Sequence, residues 1–230
     1  MSLELRNKGY EVHVLDGDAS NIGLYKMLGF EKDPEPLINY FGGKIFKGEE
    51  GKVTCPVDDP TPLNQDKMNL KRIPPKYFTI KDNITLFTVG KINDTYEGCH
   101  GPESKVTRDF VLLGEHITLI DIEAGIEHFG RGVAVNSDAV ITVVGPNYTS
   151  FQIAENVERL VAEMRVDAGK LAEKMVKKIG CDVEKAKEAT KNLRTKYVWT
   201  ILNRVDSLKM EDVMREKLKE RGIAHWFNTL

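Results

Sequence analysis

The sequence predicts an α/β fold in which a mostly parallel sheet carries helices on both faces. Three observations predict it. Continuous β-branched runs recur at "EVHVLD", "ITLFTVGKI", "HITLIDIEAG", "AVITVVGP" and "YVWTILNRV"; such runs lack the in–out alternation of a half-wet strand, so both faces are covered. Helical stretches alternate with them, as parallel strands require. Several runs stop at acids, glycine or asparagine, the residue types that line a ligand crevice beyond the carboxyl ends of strands in open α/β sheets.

Composition narrows the function. The 230 residues suffice for one large α/β domain with a real core. A net charge of -2 argues against a broad nucleic-acid or membrane surface. No apolar run approaches the roughly 18 residues that span a bilayer. The opening "MSLELRNKGY" has no apolar signal core, and Cys55, Cys99 and Cys181 lie far apart. Reduced thiols in a cytoplasmic protein are therefore expected.

Taken in order, residues 2–7 read as the last turns of a helix, closed at Gly9. Val12, Val14 and Leu15 make a short strand ending at Asp16. Asn21 is the expected N-cap of "IGLYKMLG". Residues 31–82 hold most of the prolines and read as a long irregular insertion with a short ribbon around Ile45 and Val53. A loop of that length carries function or is a family-specific surface insertion. Regular structure returns at 84–92, followed by a loop with Cys99 and His100 and a helix expected around 106–113. Ile153, Val157, Leu160, Val161 and Met164 fall on one helical face. Charged helices are expected at 168–179 and 183–192, the second capped by Asp182, with a last amphipathic helix closing at Gly222.

Four strand ends carry groups suited to a nucleotide: Asp16 with Asp18; Asp121, Glu123 and Gly125; Gly145 with Pro146; and Asn203 with Arg204. Carboxylates suit Mg²⁺ and a positioned water. A glycine lets backbone N–H approach a phosphate. Asparagine offers a donor and an acceptor together, which suits a purine edge.

"VLDGDASN", "LIDIEAGIEHFGRG", "VVGPNYTSFQIAENV" and "TILNRV" together resemble the MinD/ParA-type deviant P-loop ATPases. The nearest subgroup is the CooC type, which assists nickel insertion into carbon monoxide dehydrogenase. The resemblance implies a P-loop NTPase-like three-layer sandwich, with residues 1–230 forming one nucleotide-binding domain interrupted by the Pro-rich insertion. It implies ATP and Mg²⁺ as ligands and a homodimer that sandwiches nucleotide. Asp18 matches the water-activating switch aspartate, with Asp16 its neighbour at the strand end, and Asp121 matches the Walker B aspartate near Mg²⁺. Gly125 matches the second-switch glycine at the γ-phosphate, and Asn203 the base-reading asparagine. Glu123, Glu127, His128 and Arg131 fall in the subgroup signature. Contact with the partner subunit or a client is the implied role of the last three; the plain alternative is a solvated helix start with a satisfied histidine.

Two departures stand out. The family's G-K-G-G-V-G-K-[ST] loop is absent, and "FGGKIFKG" lacks the strand and helix that give such a loop meaning. Against the family pattern the chain starts inside the following helix, about 20–25 residues late, the size of a strand, a phosphate loop and most of a helix. The missing strand is a central one, so its loss leaves unpaired backbone and exposed apolar surface. "GIAHWFNTL" stops where the family continues into a further strand. A truncated sequence is the expectation. Second, the subgroup's Cys-x-Cys pair is represented by Cys99 alone, followed by His100 and Gly101. One such Cys–His pair from each of two subunits would make a four-ligand Ni²⁺ or Zn²⁺ site; the bland reading is a bystander cysteine.

The leading functional expectation is a dimeric ATP-hydrolysing switch that helps mature a metalloenzyme client, with this chain inactive for want of its phosphate loop. The alternative is a P-loop-less scaffold or client-binding paralogue whose working surface is the insertion. A partitioning or septum-positioning ATPase is a third reading. Such proteins use a basic DNA-binding surface or a membrane-binding terminal helix, and neither nucleic acid nor membrane is indicated here.

Overall fold

The computed structural model describes residues 1–44, 52–96, 99–165, 167–191, 193–195, 197–223 and 226–228. The chain divides into two compact units, Met1–Ala124 and Gly125–Leu230.

In the first unit, β1 (Val12–Asp16) lies between two parallel partners, β3 (Ile84–Thr88) and β4 (Ile117–Asp121). β2 (Thr79–Lys81) adds an antiparallel edge on β3, through a tight turn with Asp82 and Asn83 at positive φ. Every residue of β1 and β3 is buried. Alternate side chains feed two clusters. Val12, Val14, Ile84 and Leu86 pack with Phe30, while Leu15 and Phe87 pack with Val106 and Phe110. This is the two-faced burial that continuous apolar runs anticipate. β4 is half-exposed, and among the described residues it pairs with β1 alone.

The helices of this unit are α1 (Ser2–Asn7), α2 (Leu24–Met27), α3 (Leu37–Tyr40) and α4 (Gly101–Asp109). The insertion at 31–82 is more ordered than its prolines suggest. It contains α3 and two 3-10 turns, Gln65–Met68 and Pro75–Tyr77. Leu37, Ile38, Phe41, Val53, Met68, Ile73 and Tyr77 all join the core cluster of Leu15 and Phe87. The expected ribbon is one bridge, Lys44 with Val53; Ile45 lies outside the described residues.

The helix expected at 106–113 begins and ends earlier, and all nine of its residues are buried. The expected last residue, Leu113, is exposed. The real helix takes charges inward because the insertion satisfies them. Lys105 pairs with Asp59, Arg108 with Asp109, and Lys44 with Glu103. The amide of Leu63 donates to Asp109 at 2.8 Å. Buried charge is tolerated only with such partners.

In the second unit, β5 (Ala139–Val144), β6 (Tyr197–Leu202) and β7 (Trp226–Asn228) are parallel in that order. Thus the closing stretch "GIAHWFNTL" contributes a three-residue strand of its own. α5 (Glu127–Gly130) precedes β5; α6 (Tyr148–Met164), α7 (Ala168–Ile179) and α8 (Val183–Thr190) link β5 to β6, and α9 (Leu208–Glu220) follows β6. Asn147, Asp167, Asp182 and Ser207 cap α6 to α9 through their side chains. Val144 and Leu202 pack on Phe151, Ala154, Met214 and Leu218. On the opposite sheet face Val143, Tyr197 and Trp199 are exposed, the last two rings stacked.

Candidate functional site

The carboxyl ends of β1 and β4 lie in register, with Asp16 opposite Asp121. Immediately beyond, Gly17 lets two segments come together. A Cβ there would stand 3.0 Å from the Asp121 carbonyl oxygen and 3.1 Å from the Thr107 side chain of α4. The Gly17 amide instead donates to that carbonyl at 2.8 Å. The next residues form a turn around Asp18. Its Oδ1 accepts from the Ser20 amide (2.8 Å), the Ser20 hydroxyl (2.7 Å) and the Asn21 amide (3.1 Å). Asn21 caps no helix, contrary to expectation: Gly23 stands at the N-cap of α2. The Asn21 side-chain amide donates instead to Asp121 Oδ2 at 3.4 Å.

The loop after β3 runs alongside. The Val89 amide donates to the Asp16 carbonyl at 2.9 Å and the Ile92 amide to that of Ala19 at 3.1 Å. Between them Lys91 Nζ donates to Asp16 Oδ2 at 2.6 Å and to the Asp18 main-chain oxygen at 2.8 Å. Lys91 is the residue the sequence reading missed. Its one signal was a lone cation directly after a buried run, in "TVGKI".

These groups perturb one another. Burial raises Asp16 above the ordinary carboxylate range; Lys91 opposes this, and the charges of Asp121 and Asp33 add to it. Burial and the Asp18 charge raise Asp121, against Asn21 and Lys91. Burial also pushes Asp18 up, but hydrogen bonds from Ser20 and Asn21 and the Lys91 charge outweigh it, so Asp18 lies below its ordinary value. One oxygen of Asp16, Oδ1, is buried without a hydrogen bond among the described residues. Two carboxylates held near each other in this way favour an added cation. The donors are all oxygen, the set a hard cation takes. Among the described residues no three His, Cys, Asp or Glu side chains are arranged to hold a metal by themselves. Mg²⁺ in nucleotide sites is usually held by one or two carboxylates together with phosphate oxygens and water.

The remaining expected residues fall as follows. Glu123 follows β4 in the first unit. In the same unit Cys99 is exposed, and His100 stands at the N-cap of α4 with Nδ1 buried and unbonded among the described residues. Neither belongs to a metal-competent group of three there. In the second unit Gly125 has φ +115 and open space at its Cβ position, a conformation glycine adopts without strain. Glu127 is exposed on α5 and pairs with Arg131 at 3.4 Å; His128, beside it, is buried. Asn203 is exposed after β6, its amide donating to the Val144 carbonyl at 2.8 Å and its Oδ1 accepting from the Arg204 amide at 3.0 Å. Among the described residues no helix is long and apolar enough to cross a membrane.

No family profile matches the chain. An uncharacterised ATP-binding protein of Methanocaldococcus jannaschii is 34% identical over 203 residues, covering 84% of this chain and 74% of that protein. A second ATP-binding protein of the same organism is 26% identical over 188 residues, 74% of this chain and 67% of its own. The carbon monoxide dehydrogenase accessory protein CooC of Rhodospirillum rubrum is 35% identical over 100 residues, 41% of this chain and 37% of its own. A solved ParA family ATPase from Chlorobium tepidum covers 100% of this chain and 75% of its own, at 15% identity and a TM-score of 0.45. With a parallel α/β architecture and an ATP-binding relative aligned over most of both lengths, the chain belongs to the CooC-like branch of the MinD/ParA-type ATPases.

Proposed function

We propose that the chain supplies the acidic side of a Mg-ATP site in a CooC-like switch protein, with its two units forming one nucleotide-binding domain that carries residues 31–82 as an insertion. The observation that carries this reading is the meeting of Asp16, Asp18 and Asp121 at adjacent strand ends, where burial and neighbouring charge disfavour the ionised forms of Asp16 and Asp121 while Asp18 stays ionised. Asp18 would orient the attacking water and Asp121 would hold Mg²⁺ through its carboxylate. When bound, the metal would neutralise the phosphate charge. Gly125 would offer its amide to the γ-phosphate and Asn203 would meet the base.

Phosphoryl transfer also needs donors and positive charge on the β- and γ-phosphates. The G-K-G-G-x-G-K-[ST] motif that gives the family both is not among these 230 residues. Negligible turnover by this chain alone follows from that reading. The complete cycle would join two copies around nucleotide and serve a metalloenzyme client, with Cys99 and His100 of each copy meeting a Ni²⁺ or Zn²⁺ cargo.

The test is equilibrium binding of Mn²⁺, with and without ATP, to the purified chain. Paramagnetic broadening centred on Asp18 and Asp121, lost in Asp121→Asn, supports the reading. Broadening that leaves both carboxylates untouched overturns it.

A further inference from the structure

Lys91 is not part of the nucleotide reading above, yet its contacts are the most constrained at the site. Its backbone is fixed on both sides, by the Val89–Asp16 and Ile92–Ala19 hydrogen bonds. The preceding residue packs close to α4, leaving little room for a side chain there: a Cβ on Gly90 would lie 3.2 Å from Glu103 Cγ. Glu103 is itself buried and paired with Lys44 at 2.8 Å. The Lys91 ammonium is therefore delivered to one place. Its side chain is 13% exposed and that of Asp16 1%. One bond goes to the buried carboxylate, the other to the main chain of the loop that carries Asp18.

We propose that Lys91 is a positioning residue: anchored on Asp16, it holds the main-chain oxygen of Asp18 and so fixes the loop that aims the Asp18 carboxylate. Neutralising Asp16 alone needs only a nearby cation. The bond to the Asp18 carbonyl is what makes the lysine specific, since it ties the end of β1 to the turn in which Ser20 and Asn21 donate to Asp18. A charged hydrogen bond in a mostly buried setting is among the stronger loop restraints available. This inference rests on the carboxylate site being the working one, and its test separates the two claims.

The experiment uses the 230-residue chain, Lys91→Met, Lys91→Arg and the double variant Asp16→Asn with Lys91→Met. The readouts are amide exchange at Ser20 and Asn21, carboxyl-carbon titration of Asp16, and Mn²⁺ affinity. Lys91→Met is expected to speed exchange at both amides at least tenfold and to raise the Asp16 midpoint. It is also expected to weaken Mn²⁺ binding, although removing a cation would by charge alone tighten it. Lys91→Arg is expected to restore exchange and affinity to within about threefold of the wild type. Should Lys91→Met fail to fold, the double variant removes the buried charge with its partner and must still show fast exchange. Unchanged exchange at Ser20 and Asn21, with only Asp16 titrating higher, overturns the proposal. Absence of Mn²⁺ binding in the wild type refutes the cation-site reading instead, and the exchange result then decides the role of Lys91 by itself.

Discussion

Lys105 Nζ lies 2.9 Å from both the main-chain oxygen and Oδ2 of Asp59, so a buried lysine of α4 is satisfied by the insertion. Burial raises Asp59, but hydrogen bonds from Lys105 and Thr61 outweigh it and hold the carboxyl down at about 2, against the ordinary 3.8. A depressed carboxylate stabilises the fold above its unfolded value, and that stability is lost as pH falls from 3.8 through about 2. The shift converts to at most about 2.5 kcal/mol, and solvent screening at a carboxylate about one-third exposed cuts that to about 1 kcal/mol. Asp59→Asn is expected to destabilise by about that amount at pH 7. The difference from the wild type should shrink towards zero near pH 2 in urea melts.

The same insertion meets α4 at its first residue. A Cβ on Gly101 would lie 2.6 Å from Cys55 Cβ and 2.7 Å from its Sγ, closer than packed atoms come. Gly101→Ala therefore forces a backbone shift and is expected to cost about 1–3 kcal/mol. Cys55→Gly opens the space, so the double variant should lose less than the sum of the two single losses. Additive losses in a double-mutant cycle of thermal melts would show that the two segments do not press on each other.

The legible parts of the fold were those written in local pattern. The uninterrupted runs marked β1, β3, β4, β5 and β6 as strands, although only β1 and β3 are buried on both faces and, among the described residues, β4 and β5 lie at sheet edges; the charged stretch 168–179 matched α7 at both ends. α4 was misplaced because nothing local reveals that Glu103, Lys105, Arg108 and Asp109 turn inward. Their partners Lys44, Asp59, Thr61 and Leu63 lie some forty to sixty residues earlier, in a stretch with no periodicity to read. At the site, Asp16 and Asp121 were visible because acids that end apolar runs are conspicuous. Lys91 and Asn21 were not, since each is an ordinary loop residue until the β1–β4 register brings its acceptor alongside.

His13 offers a titration away from the carboxylates. It is 2% exposed in β1, lies against His116 with ring centroids 4.1 Å apart and planes tilted by 31°, and reaches Glu11 through Nε2 at 3.1 Å. Burial and the His116 charge lower it below the ordinary 6.5, against the pull of Glu11. The unfolded chain takes up a proton near 6.5 while the native state resists, so stability is full above that pH and falls as pH drops below it. His13→Phe keeps a ring and removes the proton. It is expected to flatten the fall below pH 6.5. Asp16 and Asp121 titrate with the opposite sign, so the difference between variant and wild type is the quantity to read, and equal slopes would exclude His13 as the source.

Asp121 is a charge the fold holds against its own stability. Burial and the neighbouring Asp18 raise it, and the hydrogen bond its carboxylate accepts from Asn21 is long at 3.4 Å. A raised carboxylate leaves stability intact below the unfolded value of 3.8 and loses it as pH rises through the folded value. Asp121→Asn removes that loss, so the variant is expected to be more stable than the wild type at pH 7, by an amount that solvent screening at this exposed strand end keeps small, with no difference below about pH 3. Charge kept at a cost in this way marks a working site, where stability is commonly traded for function. Mn²⁺ should close the gap from the other side, stabilising the wild type but not the variant by mass action. A variant less stable than the wild type at pH 7, in urea melts without metal, would mean that Asp121 serves the fold and not a ligand.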